Sequence, residues 1–132
     1  MKNLNRLIVF TTVLIATFSI LSDAAAAAQT GKMKKVHFAR GKSSAVLKGA
    51  AVRGTSDCYI VSAKKNQTMT VKTASLEQNA NFTVCFAGKQ ESLEGSKEVT
   101  DWTGKLSDDN DYVIVVSTSR GNAIYILTVA VR

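Results

Sequence analysis

The chain has 132 residues, with 17 Lys and Arg against 10 Asp and Glu (formal net charge +7), one His, two Cys and no Pro. That length holds a single domain. The composition excludes a collagen-like repeat, a disordered chain and a disulfide-dense mini-protein, and one histidine, His37, excludes a His-rich metal centre.

Lys2 and Arg6 precede an apolar stretch of 15 residues, Leu7 to Leu21, which is followed by small residues from Ser22 to Ala28. This is the pattern of a cleavable secretory signal, and the stretch is shorter than the ~20 apolar residues a spanning helix needs. Residues 1–28 are therefore expected to be a signal peptide, and residues 29–132 a bacterial domain that works in the periplasm or is secreted. No membrane span is expected in it. Without the signal, 15 basic residues stand against 9 acidic ones, a charge of +6. Ten of the basic residues lie between Gln29 and Leu76 with only Asp57 opposing them, whereas Glu77 to Asp111 carries eight acidic and three basic residues. Such a split either marks a surface with two faces or mixes in space once the strands interleave.

From Val36 onward the apolar residues recur with period two. Val36 and Phe38 share a face; then come Ala45, Leu47, Gly49 and Ala51; Tyr59, Val61 and Ala63; Met69 and Val71; Phe82, Val84 and Phe86; Trp102, Gly104 and Leu106; Tyr112, Ile114 and Val116; and Tyr125, Leu127, Val129 and Val131. Turn-forming segments separate these runs, among them Arg53 to Ser56, Lys64 to Gln67, Ser107 to Asp111 and Ser119 to Asn122. About eight short strands at this spacing predict an all-β domain, a single antiparallel β-sandwich. Only Gln90 to Val99 lacks the alternation, and it is expected to form a long loop with room for one helical turn. Eight strands enclose a two-layer core without a large internal cavity, so function is expected on loops or an outer face.

Cys58 and Cys85 fall on the faces opposite the apolar sets of their strands. In an oxidising compartment an even pair predicts a disulfide, worth about 3–4 kcal/mol for a loop of this length; two free thiols are the alternative. The Asp108 to Asp111 segment lacks the glycine and closing glutamate of a calcium loop and reads as a tight turn. Tyr112, heading the next strand, is expected to tie that turn down through its hydroxyl. His37 reads as a surface residue. No carboxylate pair stands out with one member in an apolar setting, so no enzyme, metal or cofactor is expected.

The order Val36-His37-Phe38-Ala39-Arg40-Gly41-Lys42-Ser43-Ser44-Ala45, Gly49, Asp57-Cys58-Tyr59 and Ala63-Lys64-Lys65-Asn66-Gln67 resembles the periplasmic inhibitors of g-type lysozyme. Leu106, Tyr112, the Val113 to Thr118 strand and the Arg-bearing Ser119 to Ala123 loop extend the likeness. The same framework is similar to exported β-sandwich modules of the bacterial pre-peptidase C-terminal type. The resemblance implies occlusion: a loop enters the substrate cleft of a lysozyme, g-type by the family, and protects peptidoglycan without doing chemistry. It also implies contact residues in two turns, here Asp109, Asn110 and Tyr112, and Ser119, Arg120 and Asn122. Asp109-Asn110 stands where the family carries Ser-Gly, and Asn66 where it carries Gly. A weak homodimer is compatible with this reading. The alternative is a non-inhibitory envelope module that binds anionic glycan or lipid through Lys32, Lys34, Lys35, Arg40 and Lys42. Nucleic acid is not an expected partner, since no aromatic residues interleave the lysines for base stacking.

Overall fold

The computed structural model describes residues 30–132, so the expected signal segment lies outside the described residues. Eight strands are formed there: β1 (Thr30–Lys35), β2 (Ser44–Ala51), β3 (Ser56–Ala63), β4 (Thr68–Ser75), β5 (Ala80–Phe86), β6 (Asp101–Lys105), β7 (Asn110–Thr118) and β8 (Ala123–Val131). They make two four-stranded sheets, ordered β1-β3-β7-β5 and β2-β8-β4-β6. All odd strands lie in one sheet and all even strands in the other, so every connection crosses between layers. No helix occurs among the described residues, and the fold is the β-sandwich that the alternation predicts.

The alternation also sets which side chains meet between the layers. Tyr59 and Val61 of β3, Phe82 and Val84 of β5, and Tyr112, Ile114 and Val116 of β7 face Met69 and Val71 of β4 and Tyr125, Leu127 and Val129 of β8. All are buried, and each contributes about 1.5–3 kcal/mol of apolar burial. Trp102 and Leu106 close the core on the β6 side.

The first strand lies upstream of the Val36 and Phe38 pair. β1 (TGKMKK) carries almost no apolar signal because it is an edge strand held by its backbone, parallel to β3, through pairs such as Met33 with Cys58. Its lysines are solvated, and charge of this kind discourages further strand addition at an open edge. Val36 and Phe38 pack on the core just past its end. The sandwich is otherwise antiparallel.

Residues 87–100 run back along β5 as an irregular edge and form no helical turn. Isolated bridges join Phe82 to Val99 and Cys85 to Ser92. Ser96, fully buried, donates to the carbonyls of Val84 and Leu93. The segment covers the backbone of an edge strand with hydrogen bonds in place of apolar periodicity, which is why its sequence reads as loop.

The expected Cys58–Cys85 disulfide is not formed; both cysteines are free. Their side chains do share the outer face of one sheet, as parity requires, but β7 lies between them. Cys58 pairs with Val115 of β7 and Cys85 with Val113. Two strand spacings across and two residues along the strand separate their Cα atoms by about 12 Å, beyond the ~7 Å Cα separation a disulfide tolerates. Burial pushes both thiols above the ordinary thiol range, with Asp57 and Cys85 adding to the effect at Cys58.

Candidate functional site

The two turns named by the sequence lie at opposite ends of β7, which runs from Asn110 to Thr118. At ~3.4 Å per residue they stand roughly 27 Å apart, so no single loop insertion engages both. The end carrying Asp109, Asn110 and Tyr112 also holds the β1–β2, β3–β4 and β6–β7 connections. The end carrying Ser119, Arg120 and Asn122 holds the β2–β3, β4–β5 and β7–β8 connections.

At the first end, the side chains are occupied with one another. Tyr112 is fully buried, and its hydroxyl donates to the Asp108 carbonyl at 2.9 Å. Burial raises that hydroxyl above the ordinary tyrosine range, and Asp108 and Asp109 act in the same direction, against the hydrogen bond to Asp108. The Asp109 carboxylate accepts the Lys65 amide at 2.7 Å, tying the β6–β7 turn to the β3–β4 turn. Asn110 accepts the Asp111 amide. Asn66, in the neighbouring turn, has φ of 72° and takes the left-handed position that the family fills with Gly. These residues build the turn expected from the sequence.

At the second end, the Ser119 to Asn122 loop is held from beneath by Asn79. This residue is buried, and its Nδ2 donates to the carbonyls of Arg120 and Asn122, both at 2.9 Å. The Asn79 carbonyl accepts the Ser119 amide at 2.9 Å, and the Ser75 hydroxyl accepts the amides of Asn79 and Ala80. Thr118 donates to the Gly121 carbonyl across the bend, where Gly121 has φ of 57°. Asn122 accepts the Arg53 amide at 2.8 Å and so fixes the β2–β3 turn beside it. The Arg120 guanidinium lies over the β4–β5 turn and donates to the Glu77 carbonyl at 2.8 Å. Three loops are thus locked into one surface, with Arg120 and Arg53 exposed on it.

Next to these loops is an open apolar hollow of about 850 Å³ on the outer face of the β2-β8-β4-β6 sheet. Its walls include Val52, Leu76, Ile124 and Ile126, with Ala50 and Ala74 as its floor. Leu76 is 98% exposed and Ile124 79%, and Val46 lies further along the same face. Five of the six large hydrophobic residues exposed among the described residues lie on this face or its rim; the sixth, Met33, is on β1. A contiguous exposed apolar patch with a polar rim is the usual mark of a protein-binding surface.

Under this end lies a buried polar network that sequence reasoning did not single out as a unit. The Asp57 carboxylate accepts the Lys32 amide at 2.9 Å and the Tyr125 hydroxyl at 2.7 Å, and Tyr125 is in turn hydrogen-bonded to Tyr59. Burial, then the bonds to Tyr59 and Asp57, push the Tyr125 hydroxyl far above the ordinary tyrosine range. Gly49 stands against that hydroxyl, where any Cβ would collide with it. The Asp57-x-Tyr59 spacing and Gly49 were the readable signals, and they report one packing arrangement.

No group of three or more potential metal ligands occurs among the described residues, nor any helix long and apolar enough to cross a membrane. His37 is exposed.

The architecture defines the class first: a β-sandwich, similar in fold to the pre-peptidase C-terminal domain of a Bacillus anthracis collagenase (TM-score 0.53, 13% identity, covering 76% of this chain and 95% of that one). Within that class the chain is similar to PliG of Aeromonas hydrophila, a periplasmic lysozyme inhibitor of g-type lysozyme, with TM-score 0.68 and 30% identity over 79% of this chain and 98% of that one. It therefore belongs to the family of periplasmic inhibitors of g-type lysozyme. PliG of Salmonella Typhimurium shares the fold at TM-score 0.63 and 22% identity, covering 77% and 99% of the two chains. No family model and no curated protein matches the sequence.

Proposed function

We propose that this protein is a periplasmic inhibitor of g-type lysozyme, not an enzyme, and that it acts by seating the Ser119 to Asn122 loop in the substrate cleft. The observation that carries the reading is the pairing of a braced, arginine-bearing loop with the exposed apolar hollow beside it. Glycosidase clefts are lined by carboxylates, and an arginine presented on a rigid loop matches them in charge. Val52, Leu76 and Ile124 supply area that is dry once covered, which an arginine alone does not. Asn79 holds the loop in place before contact, so little conformational freedom is lost on binding. Asp109, Asn110 and Tyr112 lie outside this contact and serve the opposite turn.

A lysis assay on peptidoglycan with g-, c- and i-type lysozymes tests the proposal. Inhibition of the g-type enzyme is expected, with Arg120→Ala weakening it by about 2–5 kcal/mol, the usual cost of truncating a desolvated charge contact. Ile124→Asp is expected to weaken it as well, with the fold intact because Ile124 is solvent-facing. Absence of inhibition of all three lysozymes at micromolar protein would sink the reading.

A further inference from the structure

The opposite end of the sandwich carries a second surface, and it is basic. Four chain segments that are distant in sequence are joined there by backbone hydrogen bonds. Val131 donates to Ser43, Thr68 and Arg132 exchange two bonds, and Asn66 donates to Leu106. The Arg132 guanidinium also reaches the Ser43 hydroxyl at 3.4 Å. This stitching brings Arg40, Lys42, Lys64, Lys65, Lys105 and Arg132 to one end, all exposed. The only ion pair among the described residues joins Lys72 to Asp101 on the outer sheet face, so none of the six is paired with a carboxylate. Asp108, Asp109 and Asp111 share this end on the β6–β7 side, and each is engaged locally, Asp108 by the Ser107 hydroxyl, Asp109 by the Lys65 amide and Asp111 by the Ser62 hydroxyl.

The shape of this end selects among anionic partners. The apolar hollow lies at the Arg120 end, and the cavity between β6 and the segment around Ser92 touches this end only along one side, at Lys105 and Ser107, and takes in none of the other five cations. With no groove running across the six cations, a single polymer chain would touch only a few of them at once. A flat anionic surface meets cations from all four segments together. The large exposed hydrophobic residues lie elsewhere, so contact is electrostatic without insertion.

We propose that this end docks the protein on an anionic phospholipid bilayer, with the Arg120 end directed away from the membrane. The inference is independent of the inhibitor reading, because it uses the other end of the molecule. Co-sedimentation with vesicles of phosphatidylcholine alone, and of phosphatidylcholine with phosphatidylglycerol, tests it. Binding to the mixed vesicles alone is expected, falling steeply as salt is raised. Each cation removed should weaken partitioning about fivefold, so Lys64→Ala with Lys65→Ala gives roughly 25-fold, while Arg53→Ala with Arg120→Ala leaves it unchanged. The Lys64/Lys65 variant should still inhibit lysozyme in solution if the inhibitor reading holds. Equal binding to neutral vesicles, insensitivity to salt, no binding to either vesicle, or tighter retention by a soluble polyuronate than by vesicles would each overturn the proposal.

Discussion

Asp57 is a buried carboxylate whose partners, among the described residues, are one backbone amide and one tyrosine hydroxyl. Tyr125→Phe removes the hydroxyl and leaves the carboxylate short of a donor, at an expected cost of about 1–3 kcal/mol. For a domain of this size that lowers the thermal midpoint by at least 4 °C or so, which calorimetry or circular dichroism reads directly; an unchanged midpoint would remove the network from the account of stability. The same residues set the response to alkaline pH. Tyr125 and both thiols titrate above their ordinary values in the folded chain, so the unfolded chain releases these protons first. Their contribution is fully present below the ordinary thiol range of about 8.5 and declines as pH rises through that range and on past the ordinary tyrosine value of about 10. Urea midpoints measured across this window should fall, and less steeply for Tyr125→Phe.

At the scale of the element, a strand's apolar period is legible and its sheet partner is not. Parity placed Cys58 and Cys85 on matching faces, and the intervening β7 could not be read from it, since strand order depends on contacts far along the chain. The consequence is testable: a thiol reagent should titrate two thiols in the unfolded, unreduced protein, and one disulfide with no thiol would contradict the strand order. In the folded protein the same thiols should react slowly near neutral pH, because burial keeps them protonated. β1 escaped the period because an edge strand held by backbone bonds needs no apolar face. The residues of the candidate loop, Ser119, Arg120 and Asn122, were readable from turn chemistry and likeness, whereas Asn79, which positions them, looked like ordinary turn material. Asn79→Ala deletes two donors to the loop carbonyls. It is expected to cost about 1–3 kcal/mol of stability and to weaken lysozyme inhibition although Asn79 is buried and Arg120 is untouched. Unaltered inhibition would mean the loop finds its shape without this brace.

For the molecule as a whole, the charge split along the chain is partly a matter of folding and partly a matter of sequence. The acidic Asp108 to Asp111 turn returns to the basic end, yet Lys105 and Arg132 join that end too, so the fold concentrates cations there instead of averaging them away. The topology has a kinetic consequence as well. Odd strands fill one sheet and even strands the other, so no two consecutive strands pair, and the local antiparallel pairing among the described residues is the irregular return of residues 87–100 along β5. Folding dominated by such distant pairings proceeds in roughly milliseconds to seconds. The chain also has no proline, so it lacks the X-Pro isomerisation that produces phases of about 10–100 s in other proteins. Refolding by dilution from urea, followed through Trp102 fluorescence, should therefore be slow for a protein this small yet without a phase of tens of seconds. Microsecond refolding would point to local structure that this strand order does not contain. A persistent slow phase would place the barrier elsewhere than in strand pairing, with intermolecular association the first alternative to examine by varying protein concentration.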